Sequence, residues 1–358
     1  MKGGIIKGLM KRMSRLRSRT EIDASNQRDA SLDALRITAT FCVVLLHVSA
    51  KVWVKEPIGS ESWITATFYD SLVRWCVPAF VMISGSLLMG SDKPARVRER
   101  FLKIALLYVV WSGFYSLIDW SETGDWGHAL KHFVEGHYHL WYLYMIGGMF
   151  LILPLLKLLA KKKEYLQYYV VLAVLFNFLF PQVIQVISLY SRSWYRILEF
   201  AFQEVGVNAV LGYSGYFVLG YLLYHYGVSR RDRLIMYLFG IAGVAVTFLG
   251  TKYYTETTLK LQEVFFSNFT INVLATSIAV FVLFKQWDVP QRWSKHLRTF
   301  SGYCLGIYLI HPIVLEALEL YDLYLHEQII LRTLIAFVLS AIITRLLKMI
   351  PVIKKSVT

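Results

Sequence analysis

The 358-residue sequence is short of charge, of cysteine and of any long polar stretch. Charged residues make up 17% of it, where a soluble domain carries about a quarter. With a mean hydropathy of +0.48, that shortage excludes an ordinary soluble globule. The 3 cysteines, Cys42, Cys76 and Cys304, fall singly inside apolar runs. They make neither a disulfide framework nor a zinc spacing and read as small core residues. The short alternating segments of a transmembrane barrel are missing. So are internal repeats and any polar stretch long enough for a soluble domain. The segment from Met1 to Arg28 has no apolar h-region, so it reads as a basic cytoplasmic arm on anionic lipid rather than a cleavable signal peptide.

What the sequence does have is a succession of apolar runs. Lipid offers no partner to a bare peptide group, so such runs are helices. Ten spans are expected, at roughly 31–52, 68–90, 101–119, 140–158, 165–181, 208–227, 232–251, 264–285, 300–321 and 328–350. The fifth is the weakest, being short and ending at Pro181. The expected fold is an all-α integral membrane protein: a basic arm over 1–30, a ten-helix domain over 31–350 and a tail over 351–358. The net charge of +14 could suggest nucleic acid. Its distribution argues otherwise, because "KRMSRLRSR", "KPARVRERFLK", "KKK" at 161–163, "SRRDR", then Arg292, Lys295 and Arg298, and the C-terminal "KK" fall at every second connection. That is the positive-inside pattern, and it places both termini in the cytoplasm. The expectation is a multi-pass protein of the cell inner membrane, with the bilayer and not nucleic acid as its partner.

The first run, "LDALRITATFCVVLLHVSA", carries Asp33, Arg36 and His47 despite its oiliness. Arg36 and His47 are separated by three turns, roughly 16 Å along a helix, and Thr40 falls within about 40° of Arg36. The other face, Ile37, Phe41, Val44, Leu45 and Val48, reads as lipid-facing. A snorkelling arginine paired with an aspartate, plus one core histidine, would explain these groups blandly. A row of ionisable groups costs a few kcal/mol per member on insertion, so the aligned stripe favours a site. In it His47 can take a proton from a hydroxyl, and Arg36, fixed by Asp33, can hold an anion.

These residues resemble the opening helix of the acyltransferase 3 family, in which an arginine precedes a histidine by eleven positions. "RWCVPAFVMISGSLLMG" is similar to the family's R-x-x-V-P-x-F-x-x-I-S-G segment, matched at Arg74, Val77, Pro78, Phe80, Ile83, Ser84 and Gly85. "HLWYLYMIGGMFLILPLL" resembles its H-L-W-x-L helix start, at His139 and Trp141. "GYFVLGYLL" and "SGYCLGIYLIHPIVLE", the latter with Tyr308 and His311, are two further blocks. The resemblance covers nearly the whole chain. It implies an acyltransferase that moves an acyl group, most often acetyl, from a coenzyme A thioester to a hydroxyl of a surface or lipid-linked glycan. The expectation is a stand-alone member, similar to the enterobacterial common antigen O-acetyltransferase. The family's cytoplasmic R-x-x-R pair is matched by Arg100 and Lys103, with a lysine in second place.

Acyl transfer from a thioester needs a base, a stabiliser for the oxyanion and a grip on the nucleotide phosphates. His47 is the expected base, or alternatively a transient acyl carrier. Arg36 and Asp33 complete the catalytic set. Thr40, Arg74, Ser84, His139, Trp141, Tyr308 and His311 are the expected substrate contacts. Arg98, Arg100 and Lys103 are expected to grip acetyl-CoA, or else serve only as an orientation signal. Asp70 and Arg74 read as an acceptor or oxyanion pair in preference to a surface ion pair, and Trp53, Trp63 and Tyr69 as an interfacial aromatic belt in preference to a sugar platform. His128, His132, His137 and His139 could conceivably hold zinc, but no H-E-x-x-H spacing is present and no metal is expected. Pro312 should kink its helix. Glu199 and Glu204 suit a solvated loop better than a sugar site. A transporter or flippase, or a non-catalytic export subunit, is the competing class. Against a transporter, the ionisable groups gather in the first two spans without a counterpart in the second half.

Overall fold

The computed structural model describes residues 29–91, 94–207, 212–320 and 328–350, so the expected arm and C-terminal tail lie essentially outside it. Among the described residues all regular structure is helical. In chain order the helices are α1 Ala30–Lys55, α2 Glu61–Val73, α3 Cys76–Leu88, α4 Val97–Thr123 and α5 Trp126–Glu135. Next come α6 Trp141–Leu159, α7 Lys163–Ala173, a π-helical turn Val174–Leu179, α8 Phe180–Ser188 and α9 Arg192–Val205. The last are α10 Ser214–His225, α11 Arg230–Thr258, α12 Ile271–Lys285, α13 Gln291–Ser301, α14 Cys304–Leu320 and α15 Ile329–Met349.

Among the described residues seven stretches are long and apolar enough to cross a membrane, eight if the bent pair of α13 and α14 is taken as one span. All ten expected runs hold helix. Two hold less than a crossing needs: α10 has 12 residues and α12 has 15. Hydropathy registers exclusion from water, whether by lipid or by protein. Helix α10 is buried along almost its whole length, so its apolarity belongs to the core. The fifth run extends past Pro181 to Ser188. There the π-helical turn changes the hydrogen-bond register just before the proline, which is the second residue of α8.

Helix α1 is the central element. It packs against α2, α3, α12, α13, α14 and α15. Much of the face read as lipid-exposed is instead enclosed: Val44 and Val48 are completely buried and Leu45 nearly so, while Ile37 and Phe41 stay partly exposed. A helix apolar all round its stripe is a core helix in a bundle this large. Asp29 caps it, accepting from the Ser31 amide at 2.8 Å. Trp53 and Trp63 are likewise buried and do not form an interfacial belt.

Glycine sets the tightest packing. A Cβ at Gly85 on α3 would stand 1.8 Å from the Phe217 carbonyl oxygen on α10, and one at Gly220 on α10 would stand 2.2 Å from the Met82 carbonyl oxygen on α3. The two backbones therefore touch, as small residues permit between membrane helices. This contact seats α3 and its serine, Ser84, beside α1.

Candidate active site

The span Glu61–Leu88 is interrupted by a turn at Arg74 and Trp75, which divides α2 from α3. A second interruption, a 51° bend, separates α13 from α14. It falls at Gly302 and Tyr303, whereas Pro312 lies inside a helix that runs on to Leu320. A third, the turn at His137–Leu140, opens α6. These breaks surround the middle of α1 and leave a cavity of about 320 Å³ beside it.

Arg36, His47, Arg74 and His139 line the cavity, together with Ser84 and Tyr308. Trp141, Tyr142, Asn268 and Cys304 contribute further wall. The rest is apolar: Val43, Leu46, Val77, Phe80 and Leu305. A mostly apolar cavity with a few convergent polar groups is the usual form of a small-molecule site.

The histidines define its chemistry. His47 Nδ1 lies 2.7 Å from His311 Nε2, with the rings stacked at 4.9 Å. His311 Nδ1 lies 2.7 Å from the Tyr308 carbonyl oxygen and 3.2 Å from that of Ile307. Carbonyl oxygens only accept, so His311 carries its proton on Nδ1 and presents Nε2 as an acceptor. His47 must then donate from Nδ1, which leaves its Nε2 with the free lone pair. Pro312 helps to produce this arrangement, because a helix proline frees a carbonyl one turn before it.

Arg36 donates to Asp33 at 3.2 Å and to the Ser301 hydroxyl at 3.0 Å. Asp33 is buried, so the guanidinium is held from two sides. Asp70 is completely buried and accepts from Arg74 at 2.6 Å. The pair is therefore no surface ion pair. Arg74 also donates to the Phe266 carbonyl oxygen at 3.2 Å and lies 4.0 Å over the Phe266 ring. Tyr308 donates its hydroxyl to the His139 carbonyl oxygen. The His139 ring is buried, its Nδ1 3.0 Å from His137 Nδ1 and its Nε2 without a hydrogen-bond partner among the described residues. Burial and the neighbouring histidines hold His139 well below the ordinary imidazole range, so it is neutral. His137 in turn reaches Glu316 at 3.1 Å and stacks on Tyr115.

Thr40 and His311 do not line the cavity. The Thr40 hydroxyl donates to the Arg36 carbonyl oxygen at 2.8 Å, as helix threonines commonly do. His311 stands behind His47. Asp33 stands behind Arg36. The sequence reading missed Ser301, Tyr142 and Asn268, and it treated Cys304 as core only. Tyr142 was within reach, being one turn beyond His139, but nothing local marks Asn268. Glu199 and Glu204 lie on α9, which buries none of its residues. Among the described residues no group of three or more ligating side chains is placed to hold a metal ion.

A second, smaller recess of about 280 Å³ lies at the far end of α3, lined by Ser91, Arg96, Arg100 and Lys157. Leu88 lines it and Ser84 lines the central cavity, so the two openings share one face of α3, about 6 Å apart along its axis. Of the three expected donor contacts only Arg100 reaches this recess; Arg98 and Lys103 are exposed on α4.

The fold and the cavity define a polytopic membrane protein with two imidazole and two guanidinium groups around one cavity. Residues 29–349 match the family model described as an acyltransferase domain, that of acyltransferase 3, and the chain belongs to that family. The protein is a membrane acyltransferase. No characterised protein and no solved structure matches the chain.

Proposed function

We propose that the protein transfers an acetyl group from acetyl-CoA, bound from the cytoplasmic side, to a hydroxyl of a cell-surface or lipid-linked carbohydrate at the inner membrane. The observation that carries the reading is the His47–His311–carbonyl chain, which leaves one imidazole nitrogen of His47 unprotonated inside a cavity that also holds Arg36 and Arg74.

In this reading the acceptor hydroxyl attacks the thioester carbonyl carbon while His47 Nε2 takes its proton. The carbonyl oxygen becomes an oxyanion, stabilised by the positive charge of Arg36 or Arg74. Collapse forms the ester, breaks the C–S bond and releases the thiolate, which recovers the proton from His47 as coenzyme A thiol. His311 keeps the imidazole in the reactive tautomer and is a positioning residue. Asp33 and Ser301 hold Arg36. The apolar walls, Val43, Leu46, Val77 and Phe80, suit an acyl chain and keep water from the thioester. Arg96, Arg100 and Lys157 supply the positive charge a nucleotide phosphate needs, and the positive-inside pattern puts them in the cytoplasm.

The test is made with purified protein in nanodiscs, supplied with acetyl-CoA and a glycan extract. Coenzyme A thiol should be released in step with ester formation. His47→Ala should lower the rate about a hundred- to ten-thousand-fold while donor binding is retained. Thr38→Ala, whose hydroxyl bonds the Ala34 carbonyl oxygen of its own helix, should behave as wild type. Full ester formation by His47→Ala would refute the mechanism.

A further inference from the structure

We infer that the acceptor is held in a second cavity, beside the catalytic one, and that this cavity selects an uncharged sugar unit over an acidic one.

This inference rests on the proposed glycan acylation and adds where and how the acceptor binds. The second cavity is about 520 Å³. It lies between the break at Arg74, the residue Gln185 on α8, Tyr213 and the segment 263–269 that leads into α12. Arg74 and Asn268 line both cavities, so they form a wall the two share. Its lining differs in kind from that of the catalytic cavity. Gln185, Glu263, Ser267 and Asn268 bring amide, carboxylate and hydroxyl groups, and Tyr213, Phe266 and Phe269 bring ring faces. Polar side chains that both donate and accept, set among aromatic rings, match the alternating hydroxyls and apolar faces of a sugar.

The aromatic surface is continuous between the cavities. Trp141, in the wall of the catalytic cavity, lies 5.7 Å ring to ring from Tyr213, which lies 4.7 Å from Phe269. Asn268 donates to the Tyr213 hydroxyl at 2.9 Å, which fixes the ring at the junction. A sugar seated on these rings can present one hydroxyl past Arg74 towards His47.

Charge sets the preference. The guanidinium of Arg74 is matched by Asp70 at 2.6 Å. Glu263 is exposed and, among the described residues, has no cationic partner. With Asp70 behind Arg74, the charged groups at and behind this wall are one guanidinium and two carboxylates. A carboxylate accepts two sugar hydroxyls well and repels a uronate or a phosphate.

The experiment uses the full-length protein in nanodiscs and a set of methyl glycosides: gluco, galacto and manno forms, their 2-acetamido derivatives and their uronic acids. Binding is read by saturation-transfer NMR, and acylation by ester formation from acetyl-CoA. At least one neutral glycoside should bind, and the uronates should bind at least tenfold more weakly. Gln185→Ala and Glu263→Ala should each raise the dissociation constant of that neutral glycoside about tenfold. Their KM for acetyl-CoA should stay unchanged. Glu263→Gln should narrow the gap between neutral and acidic glycosides. Preference for uronates, absence of any neutral binder, or variants that bind as wild type does would overturn the inference. Glycoside binding with the expected variant effects but no ester would leave the inference standing and refute the acyl-transfer reading. Ester formation with unaltered acceptor KM in both alanine variants would do the reverse.

Discussion

His311 Nε2 sits 2.7 Å from His47 Nδ1, while the other nitrogen of His311 is bound to backbone carbonyl oxygens of its own helix. Two residues separated by 264 positions thus share one proton arrangement, and it can run in only one direction. An aspartate commonly orients a catalytic histidine; in the mechanism proposed for His47 a second imidazole takes that place, without adding a buried charge.

His311→Leu removes the acceptor for His47 Nδ1 and should lower kcat about ten- to a hundred-fold, with KM for both substrates unchanged. Glutamine can replace both functions of the ring, since its amide oxygen accepts and its NH₂ donates. His311→Gln should therefore recover most of the loss. Equal defects in the two variants would mean that His311 merely fills space.

Arg100→Ala and Lys157→Ala should each raise KM for acetyl-CoA several-fold, by an amount that shrinks at high salt. Arg98→Ala should have little effect, because Arg98 lies on the exposed side of α4, away from the recess. Steady-state kinetics at low and high ionic strength compare the three. A larger effect at Arg98 would move the nucleotide out of the recess.

Gly85→Ala should destabilise the protein by about 1–3 kcal/mol, because its methyl group would run into backbone rather than a movable side chain. Gly148→Ala on α6, where a Cβ meets nothing within 4 Å, is the control and should be neutral or mildly stabilising. Thermal unfolding in detergent, followed by circular dichroism, separates them.

His139 is buried and held neutral, its folded value lying below that of the unfolded chain. The sign follows from proton uptake. Below about pH 6.5 the unfolded state binds a proton that the folded state refuses, so stability is lost as pH falls from there towards the folded value. Melting temperature should therefore drop between pH 7 and pH 5, and His139→Asn should flatten that slope. A slope unchanged by the substitution would assign the acid sensitivity to other groups.

The sequence by itself determined the class of fold, most of the helices and the shared face of Arg36 and His47. Apolar runs must be helices in lipid, and Arg36 and His47 share a face because a helix repeats every 3.6 residues. Both rules are local, so they can be read along a single chain. The motif blocks likewise brought Arg74, Ser84, His139, Trp141 and Tyr308 into consideration, and all of them line the cavity. Only the tertiary structure decided the rest. Hydropathy could not tell lipid from protein around α1 or α10, since both exclude water. It could not show that Thr40 bonds its own helix, that Ser301 holds Arg36 or that Asp70 is buried. Nor could it place Lys157 beside Arg100, or Gln185 and Glu263 beside Arg74, since each pair comes from helices or loops far apart in the chain. The orientation of the His47 lone pair is the plainest case. It depends on a hydrogen bond to α14 and on carbonyl groups within that helix, and such contacts exist only once the helices have packed.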